Sequence, residues 1–301
     1  MTRRITLLTV LMALMILTAC QPVDLNAPAP VFDTGVDPDA WALIPAGEFL
    51  EGQFNHPAVI DYDYEMMVTD VTNQQYAAFL NVALTDGSVR LDGAAVVGYY
   101  PGDEFHQGRH ENRIDAGDYL YIPVDDPALR LDLNGETFTA QELWGNHPVT
   151  MVSWFGAAAY CQYYGWRLPT EQEWEKAARG TDGRAYPWGD SVGRNNANYH
   201  ASRDPFEDMR TFGSRTTPVG FYNGSAYAGY QTADSASPYG LYDMAGNVWQ
   251  WTADVYEGTH YRYMRGGSKV VYENNLRVWA RNSAGPDYTS PAAGFRCVRE
   301  P

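Results

Sequence analysis

The sequence predicts an α+β fold that is irregular and rich in loops. Helical patterns with clear start and stop signals are confined to the stretch before Gly180. Beyond it, Gly, Asn, Asp, Pro and Trp recur every few residues with little periodicity. The composition agrees, since 28 Gly, 9 Trp and 22 Tyr among 301 residues suit a loop-heavy domain better than a helical bundle. At 45% hydrophobic and 14% aromatic residues the chain is not disordered and has ample material for a core. Its 21 basic against 37 acidic residues give a net charge of −16, which argues against nucleic acid as a partner, because phosphate contacts need a basic face.

The elements follow in chain order. Arg3 and Arg4 ahead of the apolar run Ile5 to Leu17 read as a secretory signal over residues 1–19, too short to span a bilayer comfortably. Leu17-Thr18-Ala19-Cys20 resembles the lipobox of bacterial lipoproteins. That resemblance implies a lipid on Cys20, attachment to a membrane, and an extracytoplasmic place in the bacterial cell envelope. Residues 20–40 hold four prolines and no periodicity, and read as an extended tether. Trp41 to Leu50 alternates and meets Gly52, which predicts one strand and a turn. Thr72 and Gln75 form a capping box for a helix with Tyr76, Phe79 and Leu80 on one face. Ser153 caps an apolar helix from Trp154 to about Tyr164, stopped by Gly165. Thr170 and Glu173 form a second capping box, opening a helix through Arg179 to Gly180. No internal repeat or second linker divides residues 41–301, so they read as one domain.

In an oxidising compartment Cys161 and Cys297 can pair; the alternative is two buried thiols.

Seven strings in order carry a resemblance to a known family: LIPAGEFLEG (43–52), VTNQQYAAFL (71–80), HPVTMVSWFGAAAYCQYYGWRLPTEQEWEKAARG (147–180), YPWGD (186–190), YGLYDMAGNVWQWTAD (239–254), RGGS (265–268) and GFRCV (294–298). The chain resembles the sulfatase-modifying-factor family, which includes the formylglycine-generating enzymes, over residues 41–301 with an insertion at about 81–146. The resemblance implies a large, irregular C-type-lectin-like fold. It also implies a disulfide between Cys161 and Cys297, and calcium held by Asp243, Gly246, Val248 and Gln250. A second calcium site would use Asn198 and the carbonyl of Tyr199, with Asp208 as a candidate acid. Many relatives have Glu where Gln250 stands, which removes a charge from a site that favours hard oxygens.

The family's best-known activity rests on two copper(I)-binding cysteines three and eight residues after the serine of the GGS motif. Here Ser268 is followed at those positions by Val271 and Leu276, neither of which can ligate a metal. An asparagine common before the GFRC string is replaced by Ala292. Trp249, Ser268 and Arg281 persist and are pocket candidates. Copper chemistry of the family kind is therefore not expected.

Within the insertion, His106, His110 and Glu111 would make an iron- or zinc-binding facial triad if helical, although Gly102 and Gly108 favour a solvated loop. Glu171, Glu173 and Glu175 suit the first turns of a helix better than paired-carboxylate catalysis. Trp249, Trp251, Trp279 and Tyr242 could line a pocket for a sugar or peptide, or pack in the core. Two functions remain: an envelope-anchored binding or scaffolding module for a peptide, glycan or protein, or an oxidase using another metal such as iron.

Overall fold

The computed structural model describes residues 30–207, 215–256 and 258–301; the signal segment, Cys20, the tether before residue 30 and Asp208 lie outside the described residues. The stretch read as one strand from Trp41 to Leu50 is two. Strand β1 (Trp41–Ile44) ends at Pro45, which has no N–H for a ladder, and β2 (Gly47–Glu51) restarts in another sheet. Strand β2 pairs with β3 (His56–Ile60) as a hairpin. Strand β1 pairs with β4 (Tyr64–Met67), whose other edge takes the C-terminal β16 (Val298–Arg299).

Helix α1 (Asn73–Asp86) opens on the predicted capping box. Thr72 Oγ1 accepts from the Gln75 N–H at 3.2 Å, and Gln75 Oε1 accepts from the Thr72 N–H at 2.9 Å. It stops at Gly87, whose φ of 80° suits a residue without Cβ. Tyr76, Phe79 and Leu80 are buried, as their spacing predicts. Helix α2 (Trp154–Tyr163) is capped by Ser153 and is apolar nearly all round because neighbours cover both sides. Helix α3 (Glu171–Arg179) is capped by Thr170 and Glu173, yet every residue but Gln172 is buried, charges included.

The insertion folds as a layer over these helices. Strands β5 (Val89–Asp92), β6 (Ala95–Tyr100) and β7 (Gly117–Pro123) form an antiparallel meander against α2. Strands β8 (Leu131–Asn134) and β9 (Thr137–Ala140) form a hairpin against α1. Past Gly180 the short pair β10 (Ala226–Tyr227) and β11 (Tyr230–Gln231) precedes β12 (Trp249–Val255), β13 (Arg262–Arg265), β14 (Arg281–Ala284) and β15 (Ala293–Gly294). These last four form a sheet ordered β14-β13-β12-β15.

One large core joins α1, α2, the meander, Trp249, Trp251 and Phe295; a second surrounds Trp174 with Tyr64, Met66 and Val298. Cys161 in α2 and Cys297 before β16 are joined by a disulfide across the larger core. The described part of the tether is not free chain. Phe32 packs among Phe206, Phe221 and Tyr227, and the Thr34 hydroxyl donates to Val219 O at 2.9 Å.

Candidate functional site

Strand β13 runs into Gly266-Gly267-Ser268, both glycines having positive φ (91° and 73°). A Cβ on Gly267 would come 2.8 Å from Leu276 Cδ2, so the turn lies directly on that side chain. Leu276 is fully buried with Tyr186, Ala197, Tyr199 and Ala245, and Val271 lies half-buried between this cluster and the main core. Hydrocarbon thus fills both positions where the resemblance puts metal-binding thiols. The two cysteines among the described residues are both in the disulfide. Ser268 is fully buried and its hydroxyl has no hydrogen-bond partner among the described residues. Beside it, burial and the charge of Arg130 push the Lys269 ammonium down to about 8.

The other two pocket candidates have structural surroundings. Trp249 is buried, with its backbone N–H donating to Ala292 O at 2.8 Å. Arg281 Nε donates to Glu171 Oε2 at 2.7 Å, tying β14 to α3. Trp251 is fully buried and donates to Val152 O at 3.1 Å. The three glutamates of α3 are likewise engaged by guanidinium groups. Glu173 takes Arg167 in a two-pronged pair, and Glu175 takes both Arg179 and Arg265.

Gln250 does not fit the calcium ligand that the resemblance implies. Its Oε1 accepts from Trp174 Nε1 at 2.7 Å and from Arg296 Nε at 2.9 Å, using both lone pairs of the amide oxygen. A guanidinium beside that oxygen also repels a cation. The Gln250 amide instead donates to Asp243 O at 2.7 Å and closes the 243–250 turn. Asp243 keeps its carboxylate in the turn, where burial pushes it up to about 6 although one oxygen accepts from the Gly220 N–H at 2.7 Å. Asn198 donates through its amide to Arg215 O at 2.8 Å, and Tyr199 O accepts from the Ser202 N–H at 3.0 Å. The carbonyl of Asn198 lies so close to Gly246 that a Cβ there would meet it at 2.4 Å; the two candidate calcium loops therefore touch.

Residues 103–111 are not helical, so His106 and His110 do not share a helix face with Glu111. Glu111 instead closes the loop on itself, accepting from the N–H groups of His106 at 2.8 Å and Gly108 at 2.7 Å. Its partner is a histidine that spacing alone did not single out. His260, 5% exposed, faces Asp103 Oδ2 through Nδ1 at 2.7 Å and Glu111 Oε1 through Nε2 at 2.8 Å. Arg262 Nη2 donates to the same Asp103 oxygen at 2.6 Å, and the Tyr100 hydroxyl donates to the other at 2.6 Å. Desolvation opposes ionisation of Glu111, but the two N–H groups, His260 and His106 outweigh it and hold the carboxyl down to about 2. Both ring nitrogens of His260 are committed to carboxylates and neither is turned to a metal. Among the described residues no three His, Cys, Asp or Glu side chains are grouped to hold a metal ion.

This latch joins the insertion to the β12–β13 turn and separates two adjoining cavities. One of about 500 Å³ is lined by Asp103, Glu104, His106, Val255, Thr259 and His260. The other, about 620 Å³, is lined by Asn112, Tyr119, Phe155, Tyr261, Asp287 and Tyr288, with His260 again at its edge. Neither Trp249, Ser268 nor Arg281 lines them. A sequence signal existed in hindsight only as the many tyrosines of residues 256–263 and 288; nothing in the spacing paired them with residues 103–119.

The profile of the Sulfatase-modifying factor enzyme 1-like domain matches residues 29–301. The chain belongs to this family. As a member of the sulfatase-modifying-factor family it is 38% identical over 179 residues to the formylglycine-generating enzyme of Streptomyces coelicolor, covering 52% of this chain and 53% of that protein. It is 39% identical over 159 residues to the inactive C-alpha-formylglycine-generating enzyme 2 of Mus musculus, covering 50% of this chain and 48% of that protein. The chain thus spans about half the length of these curated relatives. Among solved structures, PvdO from Pseudomonas aeruginosa superposes with a TM-score of 0.56 at 19% identity, over 91% of this chain and 99% of that one. CarF superposes with a TM-score of 0.52 at 22% identity, over 87% and 98%. These likenesses carry the fold, which is the family's C-type-lectin-like one.

Proposed function

We propose that this sulfatase-modifying-factor-family protein is a non-catalytic binding module for a peptide, glycan or protein, held at the bacterial cell envelope by a lipid on Cys20. The observation that carries the reading is the pair Val271 and Leu276. The second of these is fully buried against the GGS turn, where a thiol pair would have to face a substrate. A relative of comparable identity bears the name of an inactive formylglycine-generating enzyme, so a member without the activity is not foreign to the family. The two-pronged Arg167 pair on Glu173 supports the reading, because against the desolvation of burial it holds that carboxyl below its usual range and so makes it a poor proton acceptor.

The test is incubation of the soluble domain with copper(I) and a Cys-x-Pro-x-Arg peptide, read by the mass change from thiol to aldehyde. No conversion is expected, and turnover at the rate of an active relative assayed alongside overturns the reading. Anchoring is tested separately. Cys20→Ser should move the protein from the membrane to the soluble fraction, and unchanged fractionation would sink the lipid anchor. Calcium on this reading is held by Asp243 with the carbonyls of Gly246 and Val248 and without Gln250. Calorimetric titration of the metal-stripped domain with calcium should then give binding that Asp243→Ala abolishes and Gln250→Leu does not.

A further inference from the structure

We propose that the cleft beside His260, centred on the larger cavity lined by Tyr119, Tyr261, Asp287 and Tyr288, binds a neutral saccharide. The inference deepens the binding-module reading and rests on it. Each cavity falls within the range of ligand sites, roughly 300–1,000 Å³, and His260 lines both.

The walls have the chemistry that a pyranose needs. One face of such a ring presents C–H groups with partial positive charge, which meet the negative face of an aromatic ring. Tyr261 and Tyr288, 41% and 47% exposed, stand at the larger cavity, with the stacked pair Tyr119 and Phe155 behind them at 4.2 Å. Val255, 43% exposed, lines the smaller cavity. Large apolar groups gathered round one cleft mark a binding surface, because leaving them in water costs burial energy.

Hydroxyls at the ring edge need planar partners, an amide that both gives and takes hydrogen bonds or a carboxylate that takes them. Asn112 and Asp287 line the larger cavity, are exposed, and make no side-chain hydrogen bond to another described residue. The charge around the cleft selects against an anion. The exposed carboxylates Glu104 and Asp287 lie there, while the guanidinium of Arg113 is taken by Asp115 at 2.6 Å. The floor is preformed: Asp103, Glu111 and Arg262 fix His260, so binding does not have to order it.

The probes are chitotriose, cellotriose and maltotriose, titrated into the soluble domain by calorimetry and by saturation-transfer NMR. At least one is expected to bind, with transfer to its C–H protons. Tyr288→Ala and Asp287→Ala should each weaken it tenfold or more, and Tyr288→Phe should keep the affinity within threefold. Unchanged circular dichroism and melting temperature in the variants separate lost contacts from lost fold. Binding by none of the three, or binding that these variants leave unaltered, overturns the proposal. So does tighter binding of an unstructured tripeptide at the same residues. The copper assay above keeps the two readings apart. A domain that makes no aldehyde and binds no saccharide overturns the cleft alone, and one that binds saccharide while making aldehyde overturns only the absence of catalysis.

Discussion

His147 is the residue whose surroundings should write themselves most plainly into stability. It is 1% exposed, Nδ1 faces the Thr216 hydroxyl at 3.0 Å, and burial pushes its imidazole down to about 3, with Arg130 and Lys269 acting in the same direction. The folded state therefore holds it neutral while the unfolded chain takes up a proton near 6.5. Its contribution is present above that value and is lost as pH falls toward 3, at about 1.4 kcal/mol per pH unit in the steep part. Glu111, held down to about 2, loses its contribution only below its ordinary value of 4.5. Between pH 6.5 and 4.5 the two are thus separable. Urea denaturation should show a steeper fall for the parent than for His147→Gln across that window, and equal slopes would contradict the assignment. Residues were legible in the sequence where the signal was local. Thr72, Ser153 and Thr170 cap helices through atoms three positions away. The partners of the Gln250 oxygen were not legible, because Trp174 and Arg296, which occupy it, are remote in sequence.

Helix α3 shows what an element carries beyond its pattern. Its capping box was visible in Thr170 and Glu173, and Thr170→Ala should cost about 1 kcal/mol. Its burial was not visible, since a nine-residue run with six charged or amide side chains reads as solvated. The charges persist inside because each meets a partner. Glu175 sits between Arg179 and Arg265 and also accepts from the Gly52 N–H at 2.6 Å. Glu175→Ala would leave the buried Arg179 without a carboxylate and Arg265 with Glu171 alone at 3.4 Å, a loss on the order of 3–5 kcal/mol. Chemical denaturation is the measurement, and a loss no greater than that of Thr170→Ala would show the network to be dispensable. The split of the expected first strand into β1 and β2 has an equally local cause in Pro45, which the alternation of side chains concealed. In the insertion the sequence offered no helix, and none forms at His106 to Glu111; its strands were not foreseen because their apolar runs are short.

At the scale of the whole molecule, the disulfide between Cys161 and Cys297 spans a sequence separation of 136. In the chain-entropy account, closing so long a loop contributes roughly 4–5 kcal/mol, so reduction should lower the melting temperature by many degrees without altering the family fold at room temperature. Calorimetry with and without a reductant checks this, and coincident transitions would refute it. The fold class was legible because motifs in order and the change of texture at Gly180 are global properties. The cleft beside His260 was not, because it arises where an insertion meets a turn about 150 residues later.

Strand β4 is flanked by β1 on one edge and by β16 on the other. Val298 also exchanges hydrogen bonds with Arg167, and Arg299 Nε donates to Glu65 Oε2 at 2.7 Å. Residues up to Arg299 must therefore be synthesised before that sheet has both edges filled. Until then β4 presents an open edge to any neighbour. Deleting Val298 and Arg299 should harm folding yield far more than the number of atoms removed would suggest.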